Sequence, residues 1–72
     1  MRRETILKNF GGNVRRARMK KGLTQEELAE RAGLDFRQIG FIERGELNPK
    51  LRTILKIYKG LDCPVTRLFP ER

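Results

Sequence analysis

Histidine is absent from this 72-residue chain, cysteine occurs once, at Cys63, and no apolar run is long. Each absence excludes something. A single thiol cannot build a disulfide framework, and without histidine there is no set of zinc ligands, so neither a metal nor any other cofactor is implied. Catalysis also loses its usual participants. There is no evident nucleophile beside a base and no carboxylate pair in a plausible pocket, which makes an enzyme the weakest reading. A membrane span needs roughly 20 apolar residues, and nothing here approaches that. Arg2, Arg3 and Glu4 are followed by no apolar signal core, so the expected compartment is a reducing cytoplasm, with no membrane partner. No repeat, linker or low-complexity stretch divides the chain. A chain this short buries only about 60% of its unfolded surface and has room for one domain. The expectation is a loose basic arm over 1–4 followed by a single domain over 5–72.

Acidic residues are scarce as well: nine, against 17 lysines and arginines, for a formal charge of +8 and an isoelectric point near 10.6. A polyanionic partner follows from that balance. The charge is unevenly placed. Residues 1–22 carry eight basic side chains and one acid, residues 23–46 three basic and six acidic, and residues 47–72 six basic and two acidic. The cations therefore flank the middle of the chain, a distribution suited to clamping phosphates around a central reading element.

The middle, LTQEELAERAGLDFRQIGFIERG from Leu23 to Gly45, reads as two short amphipathic helices joined by a glycine turn. Thr24 can cap the first while Glu27, three residues on, closes a capping box. Leu28, Ala29 and Ala32 form its buried stripe, and small Ala29 permits a close crossing. Gly33 falls where a helix ends in the left-handed conformation, and Leu34 seals the corner. Asp35 is placed to cap the second helix, with Gln38 in the box position and Ile39 and Ile42 facing inward. That is the layout of a DNA-reading helix-turn-helix.

The residues also resemble a known family, the phage repressor and Cro-type helix-turn-helix proteins known as the Xre family. The resemblance rests on TQEELA at Thr24 to Ala29, on Gly33 and Ile39, and on Ile42-Glu43-Arg44-Gly45. Upstream it includes Phe10-Gly11, Val14-Arg15, Arg18 and Gly22; downstream, Asn48-Pro49, Thr53, Leu55-Lys56-Ile57 and Leu68-Phe69. It spans nearly the whole chain. It implies an all-α, lambda-repressor-like domain of five helices with the helix-turn-helix at helices two and three. Helix one is expected from about Thr5 to Lys20, with Ile6, Phe10, Val14 and Ala17 as its stripe. The Gly11-Gly12 pair costs about 1 kcal/mol per glycine relative to alanine, which predicts either a close backbone approach or a bend. Helix four is expected from about Leu51 to Gly60, with Leu51, Ile54, Leu55 and Tyr58 inward or partly so. A short helix five is expected to begin at Pro64 and stop before Pro70.

Projecting the second motif helix at about 100° per residue, with Ile39 and Ile42 toward the core, sends Arg37, Gly40, Phe41 and Arg44 outward and leaves Phe36 at the boundary. Phe36, Arg37, Gly40 and Phe41 are the candidate base-reading residues. The fork of Arg37 matches the two acceptors of guanine in the major groove, and a phosphate is its alternative partner. For Phe41 the available apolar group is the thymine methyl, with protein docking as the rival reading. The resemblance implies phosphate contacts from Thr24 and Gln25 at a helix start and from Arg44, Asn48 and Lys50 in the following loop. Lys50 also stands where a capping serine or threonine is usual. Arg18 and Glu43 are implied to form a structural ion pair between helices one and three.

Family members bind as two-fold dimers on half-sites about 34 Å apart, so a homodimer through helices four and five is expected, with Tyr58, Val65 and Thr66 at the contact. The function implied is a nucleoid-associated transcriptional regulator, of repressor or restriction-modification controller type, that binds a symmetric operator in double-stranded DNA. No small-molecule ligand is implied. The alternative from another class is a helix-turn-helix adaptor that docks a protein through Phe36 and Phe41 and binds nucleic acid only non-specifically.

Overall fold

A computed structural model describes residues 2–62 of the chain. It is all-α, with four helices in these residues: α1 (Arg3–Lys20), α2 (Gln25–Ala32), α3 (Phe36–Glu43) and α4 (Leu51–Leu61). The expected short helix from Pro64 lies outside the described residues, as do Val65 and Thr66. Helix α1 begins at Arg3, two residues before Thr5, so Glu4 lies in its first turn beside the positive end of the helix dipole.

Local chemistry sets the ends of the motif helices. Thr24 Oγ1 accepts the Glu27 amide at 3.0 Å while Glu27 Oε1 accepts the Thr24 amide at 2.8 Å, the expected capping box. Gly33 then closes α2 with φ +71°, a conformation open to glycine at little cost. Asp35 caps α3 by accepting the Arg37 amide at 2.9 Å. Gln38 does not return the reciprocal bond; its side chain lines a groove toward α4 instead. Lys50 gives α4 no side-chain cap.

The core lies where α2 and α4 cross and where α1 meets α3. Val14, Leu28, Ile39, Ile42, Ile57 and Leu61 are fully buried, each contributing about 1.5–3 kcal/mol relative to exposure. Of the two α1 glycines, Gly11 makes the close approach: a Cβ there would stand 2.1 Å from the Ile42 carbonyl oxygen. Its neighbour Gly12 faces outward, with only the Arg16 guanidinium 3.5 Å from such a carbon.

Helix α4 departs from expectation. Leu51 and Leu55 are exposed, at 70% and 54%, whereas Tyr58, expected at a dimer contact, is a core residue at 8%. The reason is register. Thr53, Ile57, Tyr58 and Leu61 fall on one stripe at three- and four-residue spacing, and that stripe faces α2. Ile6, expected on the inner stripe of α1, is likewise nearly half exposed.

Candidate nucleic-acid interface

Helix α3 is pinned on its inner side by Ile39, Ile42 and Glu43 and leaves Phe36, Arg37 and Phe41 in solvent. Burying both isoleucines fixes the rotation of the helix about its axis, and thus which side chains a partner meets. Phe36 and Phe41 are each 46% exposed, a high value for large apolar rings. Arg37 reaches back to Asp35 at 3.4 Å. The Arg37 amide, and then its guanidinium, hold the Asp35 carboxyl below the usual carboxylate range.

Gly40 stands apart from the other candidates. It is buried, because the place of its missing side chain is covered by Arg44 and Gln25: a Cβ would lie 3.2 Å from Arg44 Nη1 and 3.6 Å from Gln25 Oε1. The simple projection put it on the outer face and took no account of the two long side chains that fold across it.

The start of α2 is joined to α3 and α1 by a buried charge cluster. Arg18 Nε donates to Glu43 Oε2 at 2.7 Å, its Nη2 donates to Oε1 at 3.0 Å, and its Nη1 donates to the Leu23 carbonyl at 2.8 Å. This is the structural ion pair that the resemblance implied. The hydrogen bond to Glu43 raises the Arg18 pKa further above its ordinary value, against the opposing effect of burial. Gln25 Nε2 adds a donor to Glu43 Oε1 at 3.1 Å. A side-chain amide nitrogen carries two hydrogens, and the Glu43 carboxylate takes one of those of Gln25. Thr24, next to it, spends the hydroxyl oxygen on its cap and retains the O–H hydrogen.

The loop after α3 supplies the other flank. Arg44 lies over the Phe41 ring, 5.2 Å from its centroid, and its Nε donates to Glu46 Oε1 at 3.1 Å. Asn48 and Lys50 are exposed and line an open groove of about 500 Å³ with Gln38, Arg52 and Thr53. Arg52 and Glu46 were not singled out from sequence. Their signal was available in the two-residue spacing, Arg52 from Lys50 and Glu46 from Arg44. The structure thus places Phe36, Arg37 and Phe41 along one helix and Arg44 at its C-cap, with Gln25 beside its covered seam and Asn48 and Lys50 in the loop beyond. Among the described residues no cluster of His, Cys, Asp and Glu could hold a metal ion, and no helix is long and apolar enough to cross a membrane.

Known proteins share this fold. The helix-turn-helix family profile HTH_3 matches residues 14–68. Control protein C.SmaI of Serratia marcescens is 43% identical over 60 residues, 83% of this chain and 71% of that protein. The crystal structure of the restriction-modification controller protein C.AhdI from Aeromonas hydrophila is similar at a TM-score of 0.85 and 44% identity, covering 88% of this chain and 96% of that one. A structure of the controller C.Esp1396I, a tetramer in complex with its natural 35 base-pair operator, is similar at a TM-score of 0.83 and 33% identity, covering 89% and 83%. A profile match over more than half the chain, joined to relatives of this identity and coverage, establishes the family: the chain belongs to the helix-turn-helix proteins of the Xre/Cro type, a family of DNA-binding regulators, and is similar to restriction-modification controllers.

Proposed function

We propose that the protein is a transcriptional regulator of the restriction-modification controller kind, which binds a symmetric operator in double-stranded DNA as a homodimer with α3 in the major groove. The observation that carries this reading is the outward face of α3, where Arg37, Phe36 and Phe41 stand in solvent on a helix whose rotation is fixed by Ile39 and Ile42. An arginine fork suits guanine and an aromatic ring suits the thymine methyl. Gln25, Thr24, Arg44, Asn48 and Lys50 then serve as phosphate contacts on either side, with Arg52 added to them. The operator complex of C.Esp1396I supports the partner, because the two chains share this fold.

The domain in this reading begins with α1. Dimerisation uses the side of α4 that carries Leu51 and Leu55, together with Val65 and Thr66. The protein works in the cytoplasm, on the nucleoid. Selection from a random duplex pool at about 150 mM salt tests the proposal. A two-fold symmetric consensus is the expected result. A failure to enrich any consensus, with binding that vanishes as salt rises, contradicts it and favours the protein-docking adaptor.

A further inference from the structure

Arg44 sits in a place built by three separate features. The Phe41 ring lies beneath its guanidinium at 5.2 Å. The Glu46 carboxylate accepts its Nε at 3.1 Å. Gly40 leaves open the space that Nη1 fills, since a Cβ there would stand 3.2 Å from that atom. The position of Glu46 is itself fixed by the end of α3. Its amide donates to the Phe41 carbonyl at 2.9 Å, the Gly45 amide donates to the Ile42 carbonyl at 3.0 Å, and Gly45 adopts φ +75°. This is the Schellman pairing, which holds the backbone that carries the carboxylate.

We propose that Glu46, with Gly40 and Phe41, forms an intramolecular berth that competes with DNA phosphate for Arg44 and so lowers the affinity of the protein for duplex DNA in general. This competition rests on Arg44 serving as a phosphate contact, as in the proposed function. A guanidinium bonded to a carboxylate must leave it to meet a phosphate, and the carboxylate left behind repels the same backbone. Both effects oppose binding. The pair is half exposed on each side, so its strength is that of a surface ion pair. Losing it corresponds to about a two- to fivefold gain in affinity per protomer. Gly40 makes the berth distinctive. The atom that a new Cβ would crowd is the far end of a flexible side chain, so Gly40→Ala presses Arg44 Nη1 aside by a few tenths of an ångström, loosens its seat without disturbing the backbone, and also favours the helix. A tighter duplex complex and a higher melting temperature are expected together from that single methyl.

The test is fluorescence anisotropy with a random-sequence duplex at about 100 mM salt, on the wild type, Glu46→Gln, Gly40→Ala, Arg44→Ala and the Arg44→Ala/Glu46→Gln double variant. Glu30→Gln on α2 controls for simple loss of a negative charge. The expected pattern is weaker binding by Arg44→Ala, tighter binding by Glu46→Gln and Gly40→Ala, and no gain from Glu46→Gln beyond that of Glu30→Gln once Arg44 is gone. If Arg44→Ala leaves binding unchanged, the phosphate reading fails and the berth with it. If Arg44→Ala weakens binding but Glu46→Gln gains nothing, or gains equally without Arg44, the berth alone is overturned. Weaker binding by Gly40→Ala overturns it too, because that result means DNA approaches the bare backbone.

Discussion

Gln25 donates its side-chain amide to Glu43 at 3.1 Å, which ties the first residue of α2 to the last residue of α3. Glu43 is in turn held by Arg18 from α1, with its side chain only 2% exposed. Three helices are thus joined at one carboxylate, and the cluster reaches the proposed DNA face through Gln25. A buried pair contributes little over an apolar replacement of both partners, but removal of one partner leaves a charge in the interior. Arg18→Met is therefore expected to cost about 3–5 kcal/mol. Urea unfolding checks this, and the Arg18→Met/Glu43→Leu double variant is expected to recover much of the loss.

The adjacent glycines of α1 are expected to respond with opposite signs. Gly11→Ala drives a methyl into the Ile42 and Glu43 carbonyls and is expected to destabilise by about 3 kcal/mol. Gly12→Ala meets only the end of Arg16 and is expected to stabilise by about 0.5–1 kcal/mol through helix propensity. Thermal melts of the two variants read both signs.

Acid is expected to loosen the start of α3. The Asp35 carboxyl titrates below its ordinary value because the folded state bonds the charged form to the Arg37 amide and guanidinium. Its contribution is present above the usual aspartate range and is lost as pH falls through the folded value. Asn caps nearly as well as Asp but does not titrate there. The melting temperature of Asp35→Asn is accordingly expected to fall less than that of the wild type between about pH 5 and pH 3.

Exposed Leu55 carries the dimer proposal. Leu55→Glu removes an apolar contact from the joint and places like charges across it, with no cost to the core, since the side chain is in solvent in the single chain. Sedimentation velocity is expected to show the wild type as a dimer and the variant as a monomer with helical content unchanged.

The sequence made some of this legible and hid the rest for physical reasons. Caps and turn were readable because Thr24, Glu27, Gly33 and Asp35 act within a few residues of themselves, through bonds whose geometry the backbone dictates. Ile39 and Ile42 were readable from periodicity. The position of Gly40 was not, because it depends on where Arg44 and Gln25 fold, and long side chains obey no helical period. Tyr58, read both as inward and as a dimer contact, is core, while Leu51 and Leu55, read as inward, are exposed, because α4 is apolar on more than one side and pattern alone does not choose which side meets α2. Glu46 escaped notice because an acid in the loop between Arg44 and Lys50 acquires meaning only beside the arginine it holds.

The most direct test of the central claim repeats the selection from random duplexes with Arg37→Ala and Phe41→Ala beside the wild type. The account predicts a two-fold symmetric consensus in all three, with guanine preference relaxed at one position per half-site by Arg37→Ala and thymine preference relaxed at one by Phe41→Ala. An unchanged consensus in both variants would contradict the assignment of the outer face of α3 as the surface that reads DNA.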